Sequence, residues 1–395
     1  MDIDDTAEEA AFRAEARAWL GANATPHGAR ADHDPDDLAA HVERARSWQR
    51  TLYDGGWAGL SWPEAFGGRA LPPTYASIFA EELADFDETV GPLTVGLGMV
   101  APTLMQHGSP EQHERIAPML RGDEMWCQLF SEPGAGSDLA TLATRAERDG
   151  DTWVVNGQKV WTSLAQFAEY GILLARTDPD VPKHQGLTYF IVDMSDLGIE
   201  VRPLTQITGA AHFNETFLTD VRIPHANVVG DVGDGWNVAR TTLTSERSSI
   251  AGGNPGWSVE DLVADARERG LADDPLVRQE LAAAHTRALV LKVMGYRMRS
   301  ALSAGRLPGP EALAMKLGYA RHWVATTETA LHILGADAMT YAGHGTWQYS
   351  FLNQFAIRLG GGTDEVQQNI IGELGLGLPR EPSADRGVPW KDLPR

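Results

Sequence analysis

Apolar residues recur along this chain with two different spacings, one helical and one strand-like, and their alternation marks three regions. Up to about residue 122 the spacing is helical. Phe12, Ala16, Trp19 and Leu20 mark one apolar face, with Gly21 as its stop. Leu38, Val42, Ala45, Trp48 and Leu52 mark a second, ended by Gly55-Gly56. After a Pro- and Gly-rich stretch at 61–68, helical pattern resumes from about Thr74 to Leu120, interrupted at Gly91-Pro92 and Gly108-Ser109-Pro110. From 123 to 233 the pattern changes to short β-rich runs. Asp149-Gly150 and Asn156-Gly157 are two-residue hairpin signals flanking Thr152-Trp153-Val154-Val155. Further strands are predicted at 170–175, 188–192, 199–203 and 213–221, and no long helix fits between them. The middle region is therefore expected to be an antiparallel β domain and not a βαβ repeat. From 234 to 380 the helical period returns, punctuated by Pro275, Pro308 and Pro310, with long segments at 276–304 and 311–334. Residues 381–395 are rich in proline and charge and read as a loose tail. The expected fold class is α+β multidomain, in the order helical, β, helical.

Composition narrows the function classes. A formal net charge of −21 disfavours nucleic acid and anionic membrane surfaces, both of which call for a basic patch. Cys127 is the single cysteine, so no intramolecular disulfide forms and a reducing compartment fits. The acidic start Met1-Asp2-Ile3-Asp4-Asp5 lacks a secretory layout, and no apolar run is long enough to span a bilayer. A cytoplasmic location is expected.

Two segments suit a cofactor. Gln128-Leu129-Phe130-Ser131-Glu132-Pro133-Gly134-Ala135-Gly136-Ser137-Asp138 sets two glycines, one proline and two hydroxyls just after a strand, a loop that lets backbone N–H groups approach a ligand closely. A plain tight turn has glycines too. In Asn156-Gly157-Gln158-Lys159-Val160-Trp161-Thr162-Ser163, Trp161 and Ser163 are two residues apart and would share one face of a strand, where they could flank a flavin ring. A core tryptophan beside a surface serine fits the same pattern.

Together these segments resemble the acyl-CoA dehydrogenase family along nearly the whole chain. The 131–138 string is similar to the family's most distinctive signature, and 150–163 to the next one. Gly56-Trp57-Ala58-Gly59-Leu60-Ser61-Trp62-Pro63, Phe66-Gly67-Gly68 and Glu81-Glu82-Leu83 resemble its first helical domain, and Gly362-Thr363-Asp364-Glu365-Val366-Gln367 its C-terminal signature. The resemblance implies an N-terminal helical domain, a middle β domain and a C-terminal four-helix bundle. It implies FAD, with Phe130, Ser131, Trp161 and Ser163 about the isoalloxazine, Gly136 in the binding loop, and Thr363 and Glu365 reaching the flavin from a helix start. Ser137 would lie near the cofactor phosphates or the pantetheine arm of an acyl-CoA substrate. An electron-transfer flavoprotein is the implied acceptor, and a homodimer or homotetramer the implied assembly.

Many family members carry the catalytic glutamate just before the Gly-Thr of the C-terminal signature. This chain has Gly361 there, within Gly360-Gly361-Gly362-Thr363. Glu246 is the alternative. It lies three residues from Leu243 and four from Ile250, on the stripe that begins at Trp236. An ion pair at a helix interface would explain a glutamate there equally well. Members resembling isovaleryl-CoA and long-chain acyl-CoA dehydrogenases place their base at this position before an arginine, here Arg247, which would orient the site. The backbone N–H of Gly361 would polarise the thioester carbonyl, and its missing side chain would leave space for a branched or ring-bearing acyl group. The family's Arg-x-x-Phe-Gly and Gln-x-x-Gly-Gly elements, which hold the FAD adenine across a dimer interface, are replaced by residues around Arg278 and by Leu331-His332-Ile333-Leu334-Gly335-Ala336. Relatives with such departures pair with a different subunit, so a heterotetramer, a structural subunit, and a flavin oxidase or monooxygenase on the same fold stay open as alternatives.

Overall fold

The computed structural model describes residues 5–26, 37–251, 256–304, 306, 309–340 and 346–393. The expected break at Pro308 lies outside them. Helices α1 (Ala7–Asn23), α2 (Leu38–Asp54), α3 (Pro73–Leu83), α4 (Ala101–His107), α5 (Pro110–His113) and α6 (Ile116–Arg121) form the first region. Their core joins Phe12, Ala16 and Leu20 to Trp48, Leu52, Trp57, Ile78 and Phe79. The first helix passes through Gly21 and ends two residues later, because packing of Leu20 outweighs the small helical penalty of one glycine. Thr6 starts this helix with a reciprocal cap to Glu9.

The middle region is one sheet of β1 (Trp126–Leu129), β2 (Arg145–Asp149), β3 (Thr152–Ser163), β4 (Tyr170–Arg176), β5 (Leu187–Asp193), β6 (Ile199–Leu204), β7 (Phe213–Pro224) and β8 (Val228–Val229). Its order is β6-β7-β3-β2-β4-β5-β8, with β1 beside β4. Pairing is antiparallel except for β1 with β4 and the single contact of β2 with β4, which are parallel. The turn at Asp149-Gly150 joins β2 to β3. Asn156-Gly157 does not turn the chain. It is a bulge inside β3, where the register with β7 shifts between Val155 and Gly157. Gly157 is needed there because a Cβ would fall 2.2 Å from Thr144 Oγ1, and Asn156 exchanges two hydrogen bonds of 3.0 Å with Asp220.

The last region holds α7 (Gly235–Ala251), α8 (Val259–Glu268), α9 (Pro275–Ser303), α10 (Glu311–Leu334), α11 (Thr346–Leu359) and α12 (Asp364–Ile370). Helices α9, α10 and α11 pack side by side, and α7 crosses from them to β5. The bundle core is aromatic, with Trp257 against Trp323 and Trp347 at centroid distances of 5.4 and 5.3 Å. No described helix is long and apolar enough to cross a membrane. The tail is not loose over 385–392. Trp390 stacks on the Arg176 guanidinium 4.4 Å away and donates its indole N–H to the Thr141 carbonyl at 3.0 Å.

Candidate active site

Helix α7 carries Glu246, and small residues let that helix approach the sheet. Its buried positions are Gly235, Val238, Ala239 and Thr242, while Trp236, Leu243 and Ile250 are only half-buried. The stripe expected from those three large residues therefore runs about one position away. A Cβ on Gly235 would meet Thr188 backbone atoms at 2.6 Å, so only glycine permits the approach to β5. Thr242 anchors the contact, bonding Tyr189 Oη at 3.0 Å and Thr103 Oγ1 at 2.9 Å. Glu246 follows Thr242 by one helical turn and is half-buried on the same side.

Among the described residues the Glu246 carboxylate has two hydrogen-bond partners. Oε1 accepts from the Gly361 N–H at 3.0 Å, and Oε2 accepts from Gln128 Nε2 at 3.1 Å. Three segments far apart in sequence, α7, β1 and the 360–363 turn, thus converge on one carboxylate. Gly361 and Gly362 have φ of +65° and +88°, the left-handed region that glycine enters freely. Their carbonyls are held by Gln367 Nε2 at 2.8 Å and Lys316 Nζ at 2.7 Å. Lys316 is buried, and that burial lowers its pKa against the pull of Asp364 and Glu246. The side-chain space beside Gly361 is not empty. A Cβ there would lie 2.7 Å from Ile250 Cδ1, so Ile250 fills the room expected for a bulky acyl group. Arg247 turns back to Thr244 Oγ1 at 3.0 Å, and burial lowers its pKa.

Gln128 connects this cluster to the expected cofactor residues. Phe130 and Ser131 follow it, the first buried and the second half-buried. The Ser131 carbonyl accepts from Val160 N at 2.9 Å, which brings Trp161 alongside. Trp161 is 60% exposed with φ +63°, at a second irregularity of β3 between Lys159 and Thr162. The bulge breaks the alternation that was to put Trp161 and half-buried Ser163 on one face. Gly136, Ser137 and Asp138 are exposed on the outer part of the loop, where Asp138 pairs with Lys183 at 2.7 Å. Thr363 caps α12, its Oγ1 accepting from Val366 N at 3.2 Å. Glu365 is exposed, its pKa lowered by hydrogen bonds from its own backbone and Thr363.

These residues fit a planar cofactor with an extended polar tail. A large indole stands exposed in a strained conformation, and Gly134 and Gly136 have no atom within 4 Å of an added Cβ. Sequence reasoning missed Gln128, Lys159, Lys316 and Gln367. The signal was present for two of them: a polar residue inside the apolar run Trp126-Cys127-Gln128-Leu129-Phe130, and a lysine inside the apolar face of α10.

Comparisons with known proteins agree along nearly the full length. The N-terminal, middle and C-terminal domains of acyl-CoA dehydrogenase match residues 6–123, 127–221 and 233–376. The chain is 40% identical over 384 residues to acyl-CoA dehydrogenase IpdE1 of Mycobacterium tuberculosis, covering 94% of this chain and 98% of that one. Among solved structures, the Tcur3481-Tcur3483 steroid ACAD superposes with a TM-score of 0.81 at 31% identity, over 96% of this chain and 100% of that one. The ChsE4-ChsE5 complex of Mycobacterium tuberculosis gives 0.80 at 32%, over 96% and 100%. With all three domains matched in order, the chain belongs to the acyl-CoA dehydrogenase family of FAD-dependent oxidoreductases.

Proposed function

We propose that this protein desaturates a ring-bearing acyl-CoA thioester between Cα and Cβ, with Glu246 as the base. One observation carries the reading: the Glu246 carboxylate lies 3.0 Å from the backbone N–H of Gly361. A base arriving from α7 and a glycine standing where many relatives carry their glutamate meet at one point. The Gly361 N–H would donate to the thioester carbonyl and so acidify the α-carbon. Glu246 takes the α-proton, and the C–H electron pair becomes the new double bond as a hydride leaves Cβ. Bound FAD supplies the hydride acceptor, and an electron-transfer flavoprotein drains it. Phe130, Ser131, Trp161 and Thr363 would hold the flavin, with Ser137 beside the phosphates or the pantetheine arm.

The substrate class draws on relatives. One solved structure of this fold is described as a steroid ACAD, and a 32% identical relative over 54% of this chain is a cyclohexane-1-carbonyl-CoA dehydrogenase of Syntrophus aciditrophicus. A second reading concerns assembly. Both superposed structures carry two-chain names, and the segments around Arg278 and 331–336 lack the family's adenine-holding elements. On that reading a different subunit completes the FAD site.

The test is anaerobic mixing of wild type and Glu246→Gln with cyclohexane-1-carbonyl-CoA and a steroid side-chain CoA thioester. Bleaching of the flavin band should be lost in the variant, with FAD and acyl-CoA still bound. Removing a positioned base typically lowers the rate about 10²–10⁴-fold. Bleaching at the wild-type rate would place the base elsewhere. A purified chain that takes up no FAD alone, but does so with a second subunit, would establish the shared site.

A further inference from the structure

The two donors on Glu246 are not equivalent. The Gly361 N–H is held in place, because the two carbonyls that follow it, those of Gly361 and Gly362, are tied to Gln367 and Lys316. On the reading above, that same N–H must serve the thioester carbonyl. One N–H directs a well-aligned hydrogen bond to one acceptor. The carboxylate and the carbonyl therefore compete for it, and an entering substrate removes one of the two bonds that hold Glu246.

The second bond remains. Gln128 Nε2 donates to Oε2 at 3.1 Å, from a strand whose neighbouring residues Trp126, Cys127, Leu129 and Phe130 are all buried. The amide orientation follows from the contact, since the opposite orientation would face oxygen to oxygen. In the orientation present, Gln128 Oε1 is buried with no hydrogen-bond partner among the described residues. Burying an unpaired acceptor is unfavourable, and an apolar side chain in this strand would avoid it. The carboxylate contact is what the glutamine gains in return.

We propose that Gln128 is a positioning residue for the base: it keeps hold of Oε2 while Oε1 leaves the Gly361 N–H. The carboxylate then pivots about Gln128 toward the α-carbon instead of drifting into the open site. Proton balance is that of the reaction above, with the α-proton ending on the freed Oε1. The proposal rests on the reading of Glu246 as base.

The experiment separates the two ideas with cyclohexylthioacetyl-CoA, whose sulfur replaces C3 and cannot yield a hydride. Exchange of its α-protons for deuterium reads proton removal alone, without flavin reduction. FAD content, melting temperature and analogue affinity are measured on the same samples. Wild type should exchange and Glu246→Gln should not. Gln128→Met, with similar length and no donor, should slow exchange about 10-fold, the worth of one hydrogen bond to a charged group. Gln128→Glu, with an added negative charge, should slow it further, and both should retain FAD and analogue. Wild-type exchange in Gln128→Met, beside a dead Glu246→Gln, would overturn the role of Gln128 and leave the base standing. Exchange persisting in Glu246→Gln, or absent from wild type, would overturn the reading of the site itself. Loss of FAD or of folding in both Gln128 variants would make the residue structural and equally overturn the proposal.

Discussion

Lys159 and Glu132 form a 2.8 Å ion pair sealed behind the Phe130–Ser131 segment, with the lysine side chain wholly buried and the glutamate's 10% exposed. Lys159 also donates to the carbonyls of Phe130 at 2.9 Å and Leu174 at 2.8 Å. Glu132 accepts from Ala143 N at 2.7 Å and Thr144 N at 2.8 Å. The pair knots the end of β1 to β3, β4 and the 139–144 segment. Burial pushes the lysine's pKa down against the pull of Glu132. Burial alone would raise that of Glu132, but the lysine and the amide donors bring it below the usual carboxylate value. Lys159→Met leaves a buried carboxylate uncompensated and should lower stability by about 3–5 kcal/mol. Adding Glu132→Gln should recover part of the loss. Urea unfolding of the three proteins checks this, and a loss under about 1 kcal/mol for the single variant would contradict it.

Gly361→Ala should be destabilising for two separable reasons. Its φ of +65° costs a side-chain-bearing residue about 1–2 kcal/mol. Its Cβ would also press on Ile250 Cδ1 at 2.7 Å. Ile250→Val, which removes that terminal carbon, should relieve the second part and leave the first. Thermal melts of the single and double variants measure both. A fully additive pair would show that the contact is unimportant. The same crowding means that a glutamate restored at 361 will work best alongside a smaller residue at 250.

His322 should make the bundle acid-sensitive. Burial beside Trp257, reinforced by the charge of Arg287, lowers its pKa from 6.5 to about 4. Between those values the unfolded chain binds more protons than the folded one, so stability falls as pH falls from 6.5 toward 4. Above 6.5 the contribution is complete. The shift corresponds to roughly 3 kcal/mol at most. His322→Gln should flatten the dependence of unfolding free energy on pH across this window. A slope equal to that of wild type would assign the acid sensitivity to other groups.

Trp161 offers a substitution with opposite effects on fold and cofactor. At φ +63° its backbone is strained, and its ring is mostly exposed against the edge of Phe213. Trp161→Gly should relieve about 1 kcal/mol of strain, partly offset by the greater freedom of glycine when unfolded. The apoprotein should therefore melt near the wild-type temperature, while FAD retention on gel filtration falls. Undiminished retention would remove Trp161 from the flavin site.

The architecture was legible because periodicity survives packing. Two spacings, in the order helical, β, helical, marked three regions, and α10 spans Glu311–Leu334 as its pattern predicts. What failed was local. Asn156-Gly157 carries the strongest hairpin dipeptide, yet the partner strand β7 overrides it and absorbs the extra residue as a bulge. The stripe on α7 was misplaced because weight was given to Trp236, Leu243 and Ile250, whereas the helix seats on its smallest residues. Glu246 and Gly361 were singled out by family pattern, but their contact joins positions 115 residues apart and no periodicity foretells it. Gln128 was passed over because one polar residue in a buried strand has no partner until the tertiary structure supplies one.

The tail has a consequence for the order in which the molecule is completed. Asp385 reaches Lys183 across 202 residues and Trp390 reaches Thr141 across 249, so the segment beside the 131–138 loop is tied down by a stretch that follows the whole helical bundle along the chain. Contacts of such sequence separation form late, after the entropy of closing the intervening loop has been overcome. On a ribosome, the β domain emerges whole yet must wait for the entire helical bundle before its loop is locked. A chain stopped between the end of the bundle and Asp385 would keep its sheet and its bundle and still lack that fastening.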